Sequence, residues 1–448
     1  MAQNFLSCDR DQDFLMAPSV REWLPDGHLA WCLLDVVDRL DLGVFYARYR
    51  EDGSGRAAHD PGMMVALLLY AYAVGERSSR QIERRCREDV AFRVIAANRA
   101  PDHTTIARFR ACEAQPLAEL FVQVLALCAK AGMLRVGTVA IDGTKLRADA
   151  GLSANRSHEK MREEADRILA EAAAVDAAED EQFGERQGDE LPAEMVDARS
   201  RRARLDRAMR ELEQEHQARV DEHQALLDRR GEQRQRTGKN PRGRPPGDGP
   251  DPRELADSKR NVTDPDSRIM SARGAYVQAY NAQAVVSEDQ IILAADVTND
   301  ANDRNQLRPM VDAARANLDA IEFDAKIKAA LADGDYWNHD QIQQLRAAKT
   351  VVVIPTEDRH HKGPRKKAPQ QGPQAERITK ILATAAGKRF YKRRAAIVEP
   401  VFGQTKHNRG IDRFHRRGHN AVDAEWKLIA TTHNMLKYIR HRHRIQIA

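Results

Sequence analysis

A chain of 448 residues with 42% hydrophobic content has room for roughly two to four domains and a sizeable core. The longest apolar run, "MMVALLLYAYAV" (Met63–Val74), is well short of the roughly 20 residues that cross a bilayer. The opening "MAQNFLSCDRDQDFL" lacks the basic-then-apolar order of a secretory signal. Five cysteines, none in a CxxC pair, argue against a disulfide or zinc framework, so a cytoplasmic protein without a membrane segment is expected. The net charge of +5 hides a segregation. Residues 387–448 carry fifteen Lys/Arg against four Asp/Glu, a net of +11, whereas residues 158–230 carry thirteen against twenty-one, a net of −8. A basic end of this size points to a polyanionic partner, nucleic acid first.

Residues 1–135 read as helical, because "HLAWCLLDVVDRLDLGVFYARY", "PGMMVALLLYAYAVG" and "RQIERRCREDVAFRVIAA" space their apolar residues for helices. Ser78 or Ser79 is expected to cap one short helix and Thr104 the next, with Pro101-Asp102 turning the chain between them. Short helices with Arg80, Arg84, Arg85 and Arg108 suit a helix-turn-helix-like DNA module, and a plain helical bundle equally. Residues 136–154 open an α/β domain: "VGTVAIDGTKL" reads as a buried strand ending at Asp142. Residues 155–230 read as an antiparallel helical hairpin broken at Gly184–Pro192, acidic on balance and assigned to dimer contacts or scaffolding. A Gly/Pro/Arg-rich stretch, 231–272, reads as a basic flexible linker. Its "GKNPRGRPP" fits either a minor-groove hook or a plain tether.

The α/β domain resumes over 273–448. "AYVQAYNAQAVVS" and "QIILAADVTN" form a hairpin turned at Glu288-Asp289. "DRNQLRPMVDAARANL" reads as a helix, "KIKAALADGDYW" as a strand ending at Asp333, "DQIQQLRAAK" as a helix and "TVVVIP" as a buried strand. A second mobile basic stretch, "EDRHHKGPRKKAPQQGPQ", precedes a helical C-terminus whose final "RHRHRIQIA" is expected to order only on DNA. The whole describes a mixed sheet with flanking helices, interrupted after its first strand.

Asp142 and Asp333, at the ends of apolar strands although 191 positions apart, are placed to meet at the crevice beyond the sheet. Converging carboxylates repel unless a cation intervenes, and hard oxygen ligands suit Mg2+ or Mn2+. Glu399 is the candidate third ligand, with Pro400 either near a helix start or kinking the helix there. Lys406 lies two turns further on the same face. Around them, Tyr391, Arg394, Lys406, Arg409 and Lys145 are the expected DNA-binding residues. Asp300, Asp303 and Gln306 suit a helix cap, or an accessory role beside the metals. His407, His415 and His419 suit phosphate contact or simple exposure, and Trp337 and Trp426 packing.

These residues resemble a known family. "AIDGTK", "LADGDYW" and "YKRRAAIVEPVFGQTK" are similar to the acidic triad regions of DDE transposases of bacterial insertion sequences, which have a ribonuclease-H-like core. Two residues separate Tyr391 from Arg394 and six separate Glu399 from Lys406, as in that family's Tyr-Arg-Glu-Lys signature. Four residues instead of three separate Arg394 from Glu399, which leaves Arg393 as an alternative to Arg394. The helical stretch "PGMMVALLLYAYAVGERSSRQIERRCREDVAFRVIAANRAPDHTTIARFR" resembles the family's N-terminal domain, assigned to the element's terminal inverted repeats.

The resemblance implies an α/β fold: a ribonuclease-H-like mixed sheet, an all-α N-terminal domain and a helical-hairpin insertion after the first strand. It implies Asp142, Asp333 and Glu399 as catalytic residues and ligands of two Mg2+ or Mn2+ ions. The implied reaction is cleavage at transposon ends and strand transfer into target DNA by a homodimer. A metal-dependent nuclease that cuts without joining, or an inactive DNA-binding derivative, are the alternatives.

Overall fold

The computed structural model describes residues 19–49, 57–183, 193–240, 246–272, 274–356 and 370–447. The N-terminal helices are α1 (Leu29–Val37), α2 (Gly43–Tyr46), α3 (Pro61–Ala73), α4 (Ser79–Glu88), α5 (Val90–Ile95), α6 (His103–Cys112) and α7 (Ala114–Lys130). Asp60 caps α3 by accepting from Met63 N at 2.7 Å, with Pro61 at the first helical position. Helix α3 is buried on every side from Met64 to Ala73, which explains its lack of a polar stripe. Ser78 caps α4. Asp102, rather than Thr104, caps α6: its carboxylate takes the N–H groups of Thr104 and Thr105, both at 3.0 Å, and Thr104 is already inside the helix.

The central sheet begins with β1 (Thr138–Arg147), which runs five residues beyond Asp142. The reading that Asp142 ends this strand is therefore corrected. The short β2 (Asn155–Ser157) leads into α8 (His158–Phe183), followed by α9 (Ala193–Thr237), α10 (Pro252–Asp257), β3 (Lys259–Asn261) and β4 (Arg268–Ala272). The stretch 231–272 thus starts inside a helix and contains a helix and two strands. Its strands of three and five residues are too short to show an alternating pattern. Helices α8 and α9 run antiparallel: His158 meets Glu213 at 2.9 Å, Arg201 pairs with Glu164, and Met161, Ala165, Leu205, Ala208 and Leu212 form a small core of their own. The break read at Gly184–Pro192 lies outside the described residues.

Next come β5 (Ala275–Ser287), β6 (Ile292–Thr298), α11 (Leu307–Ala320), β7 (Ala329–Leu331), α12 (His339–Ala347) and β8 (Val351–Val353). The basic stretch after β8 lies largely outside the described residues. The chain closes with α13 (Pro373–Ala383), α14 (Ala385–Gly403), a π-helical turn Gln404–Asn408, and α15 (His419–Ile447). The last turns read as unordered are helical, within α15.

Strand β5 lies antiparallel to β1 on one side and to β4 and β6 on the other. β1 then runs parallel to β7, and β7 to β8. Strands β6, β5 and β1, antiparallel, followed by β7 and β8, parallel to β1, and with β4 added beside β5, make this six-stranded sheet the ribonuclease-H-like mixed sheet. Among the described residues no single helix is long and apolar enough to cross a membrane.

Helix α15 joins the helical region to the sheet by packing on α3, α7 and β6. Within it, His433 is buried, with Nε2 at 3.0 Å from the Gln290 carbonyl. Burial and the Arg409 charge push its pKa down to about 3. The unfolded chain therefore takes up this proton first, so the stability from His433 is complete above pH ~6.5 and is lost as pH falls towards 3. A His433→Gln variant is expected to close its stability gap to the wild type as pH drops from 7 to 4.5, read as thermal unfolding midpoints.

Candidate functional site

The β1–β7 pairing ends at Ala140 opposite Leu331, while the β1–β5 ladder continues through Asp142 opposite Ala284. Beyond Leu331 the chain leaves the sheet, and Asp333 caps a short 3-10 turn by accepting from Asp335 N at 3.0 Å. A crevice thus opens at the carboxyl end of the parallel strands, where ligands sit in open α/β sheets. Helix α14 packs across β1 and brings Arg394 and Glu399 to the same place.

Arg394 pairs with two of the three acids. Its Nη1 donates to Asp142 Oδ2 at 3.0 Å and its Nη2 lies 3.7 Å from Glu399 Oε1. The other Asp142 oxygen accepts from Gly143 N at 2.9 Å. Burial, reinforced by the charge of Asp333, raises the Asp142 pKa to about 6 against the pull of Arg394. Burial also raises Asp333, with the charges of Asp335 and Asp303 adding and Arg394 opposing. Burial opposes the charge on Arg394, but Asp142, Tyr391 and Asp333 outweigh it and hold it above its ordinary range. One guanidinium therefore sits between Asp142 and Glu399, and its charge also reaches Asp333. Arg393, the alternative, turns away to pair with Glu288 at 2.7 Å.

The donor set fits a hard divalent cation in its chemistry: carboxylate oxygens, of which those of Asp142 are held towards protonation chiefly by burial, with the charge of Asp333 adding. Among the described residues no three His, Cys, Asp or Glu side chains stand close enough together to hold a metal ion as they are placed. Arg394 occupies the position of positive charge between Asp142 and Glu399.

Pro400 lies inside α14 in its last turn, far from the helix start and just before the π-helical turn Gln404–Asn408. Proline supplies no N–H to the carbonyl four residues back. Here the Ala396 carbonyl accepts instead from Gln290 Nε2 at 3.0 Å. The π turn that follows widens the helix, so Lys406 does not sit at simple α-helical phase to Glu399. Its Nζ still reaches across to the Lys145 carbonyl of β1 at 3.2 Å. Lys145 Nζ lies 3.4 Å from Asp303. Tyr391 is half-buried beside Arg394, and burial raises its pKa. Arg409 turns inward: it donates to Thr432 Oγ1 at 2.7 Å and Thr405 Oγ1 at 3.2 Å, and burial lowers its pKa to about 10. Its guanidinium serves the packing of the π turn on α15, which does not favour it as a DNA contact.

Asp303 does not cap α11. Its side chain enters a buried ring with Asn281, Gln283 and Lys145. The available signal was a pair of polar residues, Asn281 and Gln283, on one face of the largely apolar β5. His415 is half-buried, with burial and the charges of Arg77 and Arg110 lowering its pKa to about 4. His419 opens α15, its backbone N–H bonded to Asp266 at 2.7 Å. Trp426 is fully buried, stacked on Phe402, with its indole N–H on the Gln283 carbonyl at 2.8 Å; Trp337 is buried as well.

Residues 18–112 match the family model described as Transposase domain (DUF772). Residues 252–435, which include Asp333, Arg394 and Glu399, match the model described as Transposase DDE domain. No curated protein and no solved structure matches the chain.

Proposed function

We propose, because this chain belongs to the DDE transposases of insertion sequences, that Asp142, Asp333 and Glu399 are its catalytic carboxylates and that it both cleaves and joins DNA. The substrates in this reading are the terminal inverted repeats and a target duplex, and the active species in the cytoplasm is a homodimer, one protomer for each end. The observation that carries it is Arg394, whose single guanidinium bridges Asp142 and Glu399 while its charge also acts on Asp333.

Asp142, Asp333 and Glu399 would hold Mg2+ or Mn2+, in the family's manner two ions. When bound, such ions supply Lewis acidity at the phosphate and a water deprotonated near neutral pH. Arg394 has a planar fork that matches carboxylate and phosphate alike, so it can exchange its carboxylate partners for a phosphate oxygen of bound DNA. Tyr391, one turn earlier on the same helix, orients it. Lys145 and Lys406 bring cationic ends to the β1 side of the crevice and hold the DNA backbone. Exposed Arg80, Arg84 and Arg108 on α4 and α6 form the face for the terminal repeats.

The test is a labelled transposon-end duplex incubated with plasmid and Mg2+. Joined product is the expected result. Cleaved ends without joining would favour a nuclease, and binding without cleavage an inactive derivative.

A further inference from the structure

We propose that Asp303 is a positioning residue of this centre, the carboxylate that fixes the strand bearing Asp142 relative to the turn bearing Asp333. The inference rests on the transposase reading of the site.

Asp303 lies in the turn between β6 and α11 and is 8% exposed. Its Oδ1 accepts from Asn281 Nδ2 at 2.6 Å and Gln283 Nε2 at 2.7 Å, and Lys145 Nζ lies 3.4 Å away. Lys145 stands three residues beyond Asp142 on β1. The register sets Gly143 opposite Gln283 and Lys145 opposite Asn281. Gln283 Oε1 accepts in turn from the hydroxyl of Tyr336, a fully buried residue three positions after Asp333. The ring therefore runs from the Asp142 strand through Asp303 and Gln283 to the Asp333 turn.

The ring leaves no slack beside Asp142. A Cβ added at Gly143 would itself lie 2.7 Å from Asp303 Oδ1, 2.9 Å from Asn281 Oδ1 and closer still to the Gln283 amide nitrogen, so the side chains of the ring would have to shift to admit it. The turn itself gains no cap from the Asp303 side chain, because only its backbone carbonyl bonds to Gln306 N. A buried carboxylate costs desolvation unless donors compensate, and all three donors here come from strands that frame the crevice. Asp303 bonds to none of the three acids, so it acts by fixing the strand and the turn that carry them, and loosening that frame enlarges the rearrangement a cation must drive.

The experiment compares the full-length wild type with Asp303→Asn and Tyr336→Phe in the absence of DNA, reading the Mn2+ concentration that gives half of the Mn2+-induced rise in thermal unfolding midpoint. Asp303→Asn keeps the shape but removes the charge facing Lys145; Tyr336→Phe removes only the hydroxyl link to the Asp333 turn. Asp303→Asn is expected to need at least tenfold more Mn2+ and Tyr336→Phe at least threefold. Both should bind transposon ends without metal within twofold of wild type. If Asp303→Asn does not fold, Tyr336→Phe decides alone. A wild-type response left unchanged in the folded variants overturns this proposal while sparing the transposase reading. A wild type that shows no Mn2+ response also overturns this proposal, and the transposase reading is then decided by the joining assay alone.

Discussion

Replacing Glu399 by Gln is expected to lower strand cleavage in Mg2+ by about 10²–10³-fold, the scale lost when one preorganised electrostatic group is removed. End binding without metal should stay within about twofold. The separation of the two effects follows from where the side chain sits. Glu399 is 60% exposed and only 3.7 Å from Arg394, so its ion pair adds little to the fold. Gln keeps the shape and one oxygen but not the charge a cation would need. A gel-shift titration in chelator and an end-labelled cleavage time course check the two halves. Retained cleavage with lost binding would contradict the assignment. Asp142→Asn is a less selective probe, because Asp142 is buried against Arg394 and its removal disturbs packing as well as chemistry.

Replacing Glu425 by Ala is expected to cost about 3–5 kcal/mol, because it would leave a buried guanidinium without its counter-charge. Glu425 is 2% exposed and pairs with Arg77, itself 4% exposed, at 3.1 Å. It also takes the backbone N–H groups of His415 and Arg416, each at 3.0 Å. Arg110 donates to the Arg77 carbonyl at 2.7 Å, and Arg416 to the Arg110 carbonyl at 3.0 Å. These bonds tie the α3–α4 turn and α6 to the first turns of α15, the helix that packs on β6 of the sheet. Chemical denaturation of the variant should show a large loss of stability. A change below about 1 kcal/mol would mean that water reaches this cluster on opening and solvates Arg77.

The hairpin of β5 and β6 was legible in the sequence because its apolar runs meet at a short acidic turn, and the β7–α12–β8 alternation was legible for the same kind of reason. The second half of β1 was not. Gly143, Thr144 and Lys145 look like a loop, yet they pair with Gln283, Ala282 and Asn281, a register that no local pattern reveals. Asp142 and Asp333 stood out through their place after apolar residues, and Glu399 through its setting among cations. That Arg394 pairs with the acids, and Arg393 with Glu288, depends on the phase of α14 against β1. The partner that replaces the N–H missing at Pro400 is a glutamine from another element. Asp303 was equally hidden, since its partners lie 20 to 158 positions away.

The most direct test is anomalous diffraction from crystals of the full chain bound to a transposon-end duplex and soaked with Mn2+. Manganese is expected at about 2.0–2.2 Å from carboxylate oxygens of Asp142, Asp333 and Glu399, with Arg394 moved off Asp142 onto a phosphate. Manganese bound elsewhere, with Arg394 still joining Asp142 to Glu399 beside the DNA, would contradict the assignment of these carboxylates as the catalytic centre.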